Sequence, residues 1–335
     1  MENFSPAVSV IIPMFNAEKY LAVCIESLLI QTFRDFEVIV VDDCSTDSSL
    51  AIAESYLEKF GGRLKILTLE ENTGSGAVPR NVGLEHARGK YIFFMDNDDF
   101  IVDNALETLY NFAEEYRAEV VYPTSGFICG AEPVPEELIP ATWDLNLIIE
   151  EPILETNDFS KRMEKFLALQ YKWPPWAKFL RRDFLINNDI KFPLMKTSED
   201  IIWTLKVICT AKRILHLPTA FYVNRSNENS ITRRIRSPEE ELIFWSNPLI
   251  NGLEELERFM STIDFFKQNP EIRLQVLNLF ASIHFQHMSK ALNVLEPQEV
   301  YEIFLREFSK AGSSQPALIA YLLVMNNLYR NELIK

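Results

Sequence analysis

Two periods of apolar residues alternate along the first hundred positions. Val8 to Phe15 (VSVIIPMF) is a β-branched apolar run that ends around Pro13, the pattern of a buried strand reaching a loop. From Leu21 the apolar residues Cys24, Ile25, Leu28 and Leu29 recur at helical spacing, with Asn16 placed to cap the start. Phe36 to Val41 repeats the strand pattern, Ser48 to Phe60 the helical one closed by Gly61-Gly62, and Leu64 to Leu69 is a third strand. After the glycine-rich turn Thr73-Gly74-Ser75-Gly76, a helix from about Pro79 to Ala87 leads into the apolar strand Lys90 to Met95. That strand stops at four polar residues, Asp96-Asn97-Asp98-Asp99. Strands alternating with helices predict a mostly parallel sheet covered on both faces, and such sheets bind ligands at the carboxyl ends of their strands.

Further on, the pattern changes. Thr124 to Ser160 is loop-rich, with Pro133, Pro135, Pro140 and Pro152 interrupting any long helix. Past Pro238 helical periodicities take over, as in Leu274, Leu277, Ala281 and His284, then Leu318, Leu322, Met325 and Tyr329. Pro270, Pro297 and Gly312-Ser313-Ser314 separate them. A chain of 335 residues has room for about two domains. The partition read here is 1–237, with halves 1–122 and 123–237, followed by an α-helical region 238–335. No internal repeat or low-complexity tract interrupts it.

Composition narrows the function classes. Hydrophobic residues at 47% and charged residues at 24% are ordinary globular values, and the longest apolar run, Leu318 to Met325, is far below the roughly 18 to 20 residues of a membrane span. A net charge of -15 argues against sequence-independent binding to nucleic acid or anionic lipid, because both need clustered Lys and Arg. Cys24, Cys44, Cys129 and Cys209 are widely spaced, with no zinc pattern, and read as reduced thiols. No signal-peptide pattern opens the sequence, so the expected location is the cytoplasm.

The chemistry centres on the acidic positions. Three carboxylates just after an apolar strand call for something positive, since isolated buried charges cost several kcal/mol. Oxygen-only ligands suit Mg²⁺ or Mn²⁺, which use one or two carboxylates and complete the shell with water and substrate phosphates. The alternative is a solvated turn capping a helix that begins near Asn104. A second acidic pair, Asp42-Asp43, ends the strand Glu37 to Val41 and would reach the same sheet edge. Asp43 suits the neutral donors of a nucleobase or ribose; its other role is to cap the next helix with Ser45 or Thr46.

Five ordered segments then carry a resemblance: Ser9-Val10-Ile11-Ile12-Pro13-Met14-Phe15-Asn16, Gln31-Thr32-Phe33, Val41-Asp42-Asp43-Cys44-Ser45-Thr46-Asp47, Pro79-Arg80-Asn81-Val82-Gly83 and Asp96-Asn97-Asp98-Asp99. The chain resembles family 2 glycosyltransferases of the GT-A fold, over residues 8 to about 122, with weaker echoes at Trp176-Ala177-Lys178, Ser198 to Trp203 and Phe221 to Arg225. The resemblance implies a GT-A (Rossmann-like) α/β fold: a mostly parallel sheet flanked by helices. It implies inverting transfer from a nucleoside-diphosphate sugar, most often a UDP-sugar, to an acceptor hydroxyl, in bacterial surface-polysaccharide assembly. In it 1–122 is the nucleotide-binding half and 123–237 the acceptor-binding half. Pro13, Phe15 and Asn16 match the loop packing on the nucleotide, Asp43 the carboxylate that reads the base, and Arg80 the basic residue beside it. Asp96 matches the position meeting the ribose and Asp98 the metal ligand bridging to the diphosphate, with Asn97 where a small residue is usual. Asp99 is a supporting carboxylate. Asp200 matches the general base and Glu199 the residue placing the acceptor; the alternative is that Ser198 caps a helix from Ile201 to Cys209 whose positive end favours the two acids.

Arg225 and Arg233 are the candidates for holding the diphosphate, the latter in a flap Ser230-Ile231-Thr232-Arg233-Arg234; a solvated basic loop is the plainer account. Trp176 and Lys178 are placed on the acceptor side, where aromatic faces pack on sugar rings, although such clusters are more often packing. His284 and His287 are read as structural. The helical end offers self-association, acceptor reception or peripheral docking at the membrane's inner face, and its plainest role is to complete the core. Rival readings are a non-catalytic nucleotide-sugar-binding or scaffold protein and a sugar-phosphate nucleotidyltransferase. The latter usually has a glycine-rich, arginine-containing loop where Pro13-Met14-Phe15-Asn16 stands, and no GxGxxG fingerprint supports a dehydrogenase.

Overall fold

The computed structural model describes residues 5–123, 127–129, 151–225 and 234–310. The apolar runs become strands: β1 (Val8–Met14), β2 (Phe36–Asp42) and β4 (Tyr91–Phe94) are fully buried, and β3 (Leu64–Thr68), at the sheet edge, is buried only in part. β1 lies between β2 and β4, parallel to both, with Val8 opposite Phe36 and Tyr91 and Met14 opposite Asp42. Parallel pairing puts the carboxyl ends of β1, β2 and β4 on one edge of the sheet, as the alternation predicts.

Between them run α1 (Leu21–Leu29), the pair α2 (Ser49–Ser55) and α3 (Leu57–Phe60), and α4 (Ala77–His86). Two local expectations change. Asn16 does not cap α1, whose N-cap is Tyr20 without a side-chain hydrogen bond, because Asn16 is in the left-handed region and turned toward the β2 loop. The single helix expected from Ser48 to Phe60 is broken at Tyr56, and Gly61 (φ +56) ends it in a left-handed C-cap. Gly83 lets α4 lie on β1, since a Cβ there would stand 2.3 Å from Ile11 Cγ2.

The rest of the sheet comes from short, distant segments. β5 (Phe100–Ile101), α5 (Ala105–Glu115), β6 (Val120–Pro123), β7 (Phe127–Cys129) and β8 (Ile153–Leu154) follow β4, then α6 (Phe159–Leu167), β9 (Phe179–Arg181), α7 (Arg182–Asn187), α8 (Glu199–Thr210), β10 (Ile214–Leu217) and β11 (Tyr222–Arg225). The main sheet has the order β3-β2-β1-β4-β9-β6-β10-β8, with β9 antiparallel between β4 and β6; β5-β11-β7 forms a second, three-stranded sheet. At the other end of β1, Glu37 takes hydrogen bonds from Ser9 and from the Arg88 backbone and guanidinium, which closes the bottom of the sheet.

By compactness the chain forms two units: Met1–Arg162, Tyr171–Leu194 and Trp203–Asn229 in one, and Met163–Gln170, Met195–Ile202 and Ser230–Lys335 in the other. The second unit contains α9 (Pro238–Ser261), α10 (Asp264–Gln268), α11 (Pro270–Val294) and α12 (Pro297–Lys310). The prolines that separate the helical periodicities start helices, and Ser237 with Glu240 closes a capping box on α9. The periodicity from Leu318 to Tyr329 lies outside the described residues.

His284 sits in this helical core. Its Nδ1 is 2.8 Å from the Phe280 carbonyl, its Nε2 is buried without a partner among the described residues, and burial pushes its pKa down to about 4. The unfolded chain binds that proton near 6.5 and the folded chain only near 4, so stability rises with pH between those values. Acidification from pH 7 to 4 is expected to cost the wild type on the order of 3 kcal/mol more than His284→Leu, read as the difference in their Tm profiles by circular dichroism. Parallel profiles would show that His284 accepts its proton in place.

Candidate active site

The sheet edge gathers Pro13, Phe15, Asn16, Asp43, Arg80, Asp96, Asn97 and Asp98 of the expected residues. Asp43 N–H donates to the Met14 carbonyl at 2.7 Å, so the loops after β1 and β2 are joined at their first residues. Asn16 (φ +46) strengthens the joint: its Oδ1 accepts from Thr46 N–H at 2.8 Å and its own N–H donates to Ser45 Oγ at 3.1 Å. Asn and Asp tolerate the left-handed region better than other residues, which suits Asn16 to this bend. Phe15 remains 44% exposed beside fully buried strand residues, an aromatic face available for stacking.

Asp43 does not cap the next helix. Ser45 N–H instead donates to Asp42 Oδ1 at 3.1 Å, while Asp43 accepts from Thr73 N–H at 2.9 Å and Thr73 Oγ1 at 3.0 Å, one on each oxygen. Each oxygen keeps a lone pair for another donor. Thr73 was read from the sequence only as part of a turn, and its hydroxyl is the signal that pairs it with a carboxylate. Arg80, near the start of α4, donates to Asp96 Oδ1 at 2.8 Å and lies against Gly76, where a Cβ would be 2.5 Å from its Nη1. Asn97 Nδ2 reaches the Pro13 carbonyl at 2.8 Å. The unusual asparagine thus braces the acidic turn to β1.

Within the turn the carboxylates differ. Asp96 and Asp98 are partly exposed, whereas Asp99 is fully buried and accepts from Tyr222 Oη at 2.7 Å, Asn224 Nδ2 at 3.1 Å and Arg225 N–H at 2.8 Å. Burial first, then the charges of Asp98 and Asp96, push its carboxyl well above the usual range. That upward pressure marks an excess of negative charge at the turn, which a cation relieves. Among the described residues no group of three or more His, Cys, Asp or Glu side chains is placed to enclose a metal. A site of one or two carboxylates, completed by water and phosphate oxygens, fits Mg²⁺ or Mn²⁺ coordination.

Arg225 is 4% exposed, and its guanidinium donates to the Asp98 and Tyr20 carbonyls. It therefore acts as a brace behind the turn, a use the basic-run reading did not anticipate. Arg233 lies outside the described residues. Lys178, expected on the acceptor side, is 3% exposed, and its ammonium donates to the carbonyls of Lys172, Trp173 and Pro174. Trp176 stacks on Tyr222 with centroids 4.3 Å apart and 4° between planes, the packing alternative. Glu199 and Asp200 belong to the second unit and begin α8, two residues earlier than expected. Ser198 precedes them in the left-handed region (φ +64), and Ile201 N–H donates to Asp200 Oδ1 at 2.9 Å.

Gln31 was noticed only as part of a motif. It is fully buried: its Nε2 donates to the Ser27 and Val102 carbonyls and its Oε1 accepts from Leu106 N–H, tying α1 to the chain that leaves the acidic turn.

Comparison with known proteins shows the family. The family model described as glycosyl transferase family 2 matches residues 9–173. Glycosyltransferase GlyG of Streptococcus pneumoniae is 40% identical over 240 residues, 68% of this chain and 74% of that protein. The poly(ribitol-phosphate) beta-N-acetylglucosaminyltransferase TarS of Staphylococcus aureus is 33% identical over 237 residues, covering 69% of this chain but only 38% of TarS. A crystal structure of TarS residues 1–349 in complex with UDP-GlcNAc superposes with a TM-score of 0.65 at 28% identity, covering 94% of this chain and 83% of that one. With the family model on the segment that builds the sheet edge and GlyG matched over most of its length, the chain belongs to the family 2 glycosyltransferases.

Proposed function

We propose that the chain transfers a hexose or N-acetylhexosamine from a UDP-sugar to an acceptor hydroxyl with inversion, in the cytoplasm at the membrane's inner face, for a bacterial surface glycan. The observation that carries this reading is the meeting of Phe15, Asp43, the Arg80–Asp96 pair and Asp98 at the carboxyl edge of β1, β2 and β4. The family membership and the TarS–UDP-GlcNAc likeness support the donor class. No helix among the described residues is long and apolar enough to cross a membrane, and the described cysteines Cys24, Cys44 and Cys209 are free thiols, which suits a reducing compartment.

In this reading Phe15 stacks on the base, Asp43 accepts from it, and Asp96, oriented by Arg80, meets the ribose. Asp98, with Asp96 beside it, would hold Mn²⁺ or Mg²⁺. The bound cation would polarise phosphoryl oxygens and stabilise the charge of the departing UDP. Asp200 takes the acceptor hydroxyl proton as the acceptor oxygen bonds to the anomeric carbon and the bond to UDP breaks, while Glu199 places the acceptor. The positive end of α8 favours their charge.

Calorimetric titration with UDP, GDP and CDP, each with and without Mn²⁺, tests the reading. Selective UDP binding, tightened by Mn²⁺, is expected; absence of nucleotide binding would return the chain to the scaffold reading.

A further inference from the structure

The acidic turn is held from behind by a strand of the second sheet. Past β4 the ladder gives out: Met95 N–H still reaches the Ile11 carbonyl at 3.0 Å, but Asp96 N–H turns to the Tyr222 hydroxyl oxygen at 2.9 Å. A backbone N–H shut off from water needs such an acceptor. With that oxygen accepting, the single hydroxyl proton goes to Asp99 Oδ2 at 2.7 Å. Residues 222 and 224 share a face of β11, so Asn224 Nδ2 reaches the same carboxylate, and Arg225 adds its own N–H there and its guanidinium on the Asp98 carbonyl. The Tyr222 ring cannot drift, because Trp176 stacks on it.

We propose that Tyr222 is a positioning residue for the acidic turn: its hydroxyl fixes the backbone at Asp96 and the buried carboxylate of Asp99, and so sets where the partly exposed Asp96 and Asp98 carboxylates stand. The inference rests on the reading that Asp98 takes the divalent cation. Asp99 is then the hub through which β11 shapes the site. Because Asp96 also meets the ribose in that reading, a displaced turn costs some metal-free affinity too, but a group that orients a metal ligand acts mainly on the metal-dependent part of binding.

Tyr91 supplies a matched control. It stands at the start of β4, is buried, and donates its hydroxyl proton to a carboxylate, Glu114, at 2.6 Å, away from the turn. Tyr222→Phe and Tyr91→Phe each remove one such hydroxyl and keep the ring. The test measures UDP affinity with and without Mn²⁺, together with Tm, for the wild type and both variants. Both variants are expected to melt earlier than the wild type. Tyr91→Phe keeps the Mn²⁺-dependent gain in UDP affinity, whereas Tyr222→Phe reduces that gain by about 10-fold or more, a larger loss than any it causes in metal-free affinity. A full gain in Tyr222→Phe overturns the inference and leaves the reading of Asp98 standing. An equal loss in both variants also overturns it, since general loosening would then be the cause. A wild type with no gain at all removes the reading of Asp98 and this inference with it.

Discussion

Asp98→Ala is expected to erase the Mn²⁺-dependent part of UDP affinity and to slow sugar transfer by about 10²- to 10³-fold, the several kcal/mol that a Lewis acid contributes at a departing diphosphate. The fold should tolerate the change. Asp98 is partly exposed, and its tie to Arg225 runs through its backbone carbonyl, which alanine keeps. Losing a carboxylate also relieves Asp99, whose ionisation its charge opposes, so Tm is expected to hold or rise slightly. The variant therefore separates chemistry from stability in a way Asp99→Ala cannot, since that change would leave Tyr222, Asn224 and Arg225 N–H facing an emptied pocket. Titration of the Asp98 variant with UDP, with and without Mn²⁺, decides the matter. Wild-type affinity with its metal dependence intact would take Asp98 out of the site.

How much of this was legible in the chain depends on the range of the interactions. β1, β2 and β4 are largely apolar and fully buried, and burial on both faces of a parallel sheet demands that composition, so their places were readable; β3, a partly exposed edge strand, shows in a shorter apolar pattern. β9 is three residues long and pairs with β4 and β6 from far along the chain; no period can show in so short a segment. The second sheet is invisible for the same reason, and with it the support that Tyr222 gives the acidic turn. Residue type marked Asp43 and Asp96 as polar chemistry at strand ends, and the resemblance added Arg80 on the helix between them. Their partners are another matter: Thr73 lies thirty positions from Asp43 and Tyr222 lies 126 from Asp96. Lys178 shows the converse, a cation expected on the acceptor side whose ammonium the fold places on three carbonyls that its residue type does not announce. Helix boundaries differ in the same way: the start of α9 is a local capping box written in Ser237 and Glu240, whereas no local signal marks the cut at Tyr56.

Asp200→Asn is expected to leave UDP-sugar affinity and Tm at wild-type values while lowering kcat by about 10²-fold or more, the usual contribution of a positioned base. Asparagine has the same shape, and its Oδ1 can still accept from Ile201 N–H, so the first turn of α8 has no reason to unwind. What it cannot do is take a proton. For that reason the pH profile is more telling than the rate alone: kcat/KM of the wild type should fall on the acid side as the base is protonated, and the variant's residual activity should lack that limb. Glu199→Gln, next to it and 8% exposed, should raise KM for the acceptor more than it lowers kcat if Glu199 only places the hydroxyl. An Asp200→Asn enzyme with full turnover moves the base elsewhere. One that loses donor affinity and Tm together makes Asp200 a helix-end residue, the account in which its charge serves only the positive end of α8.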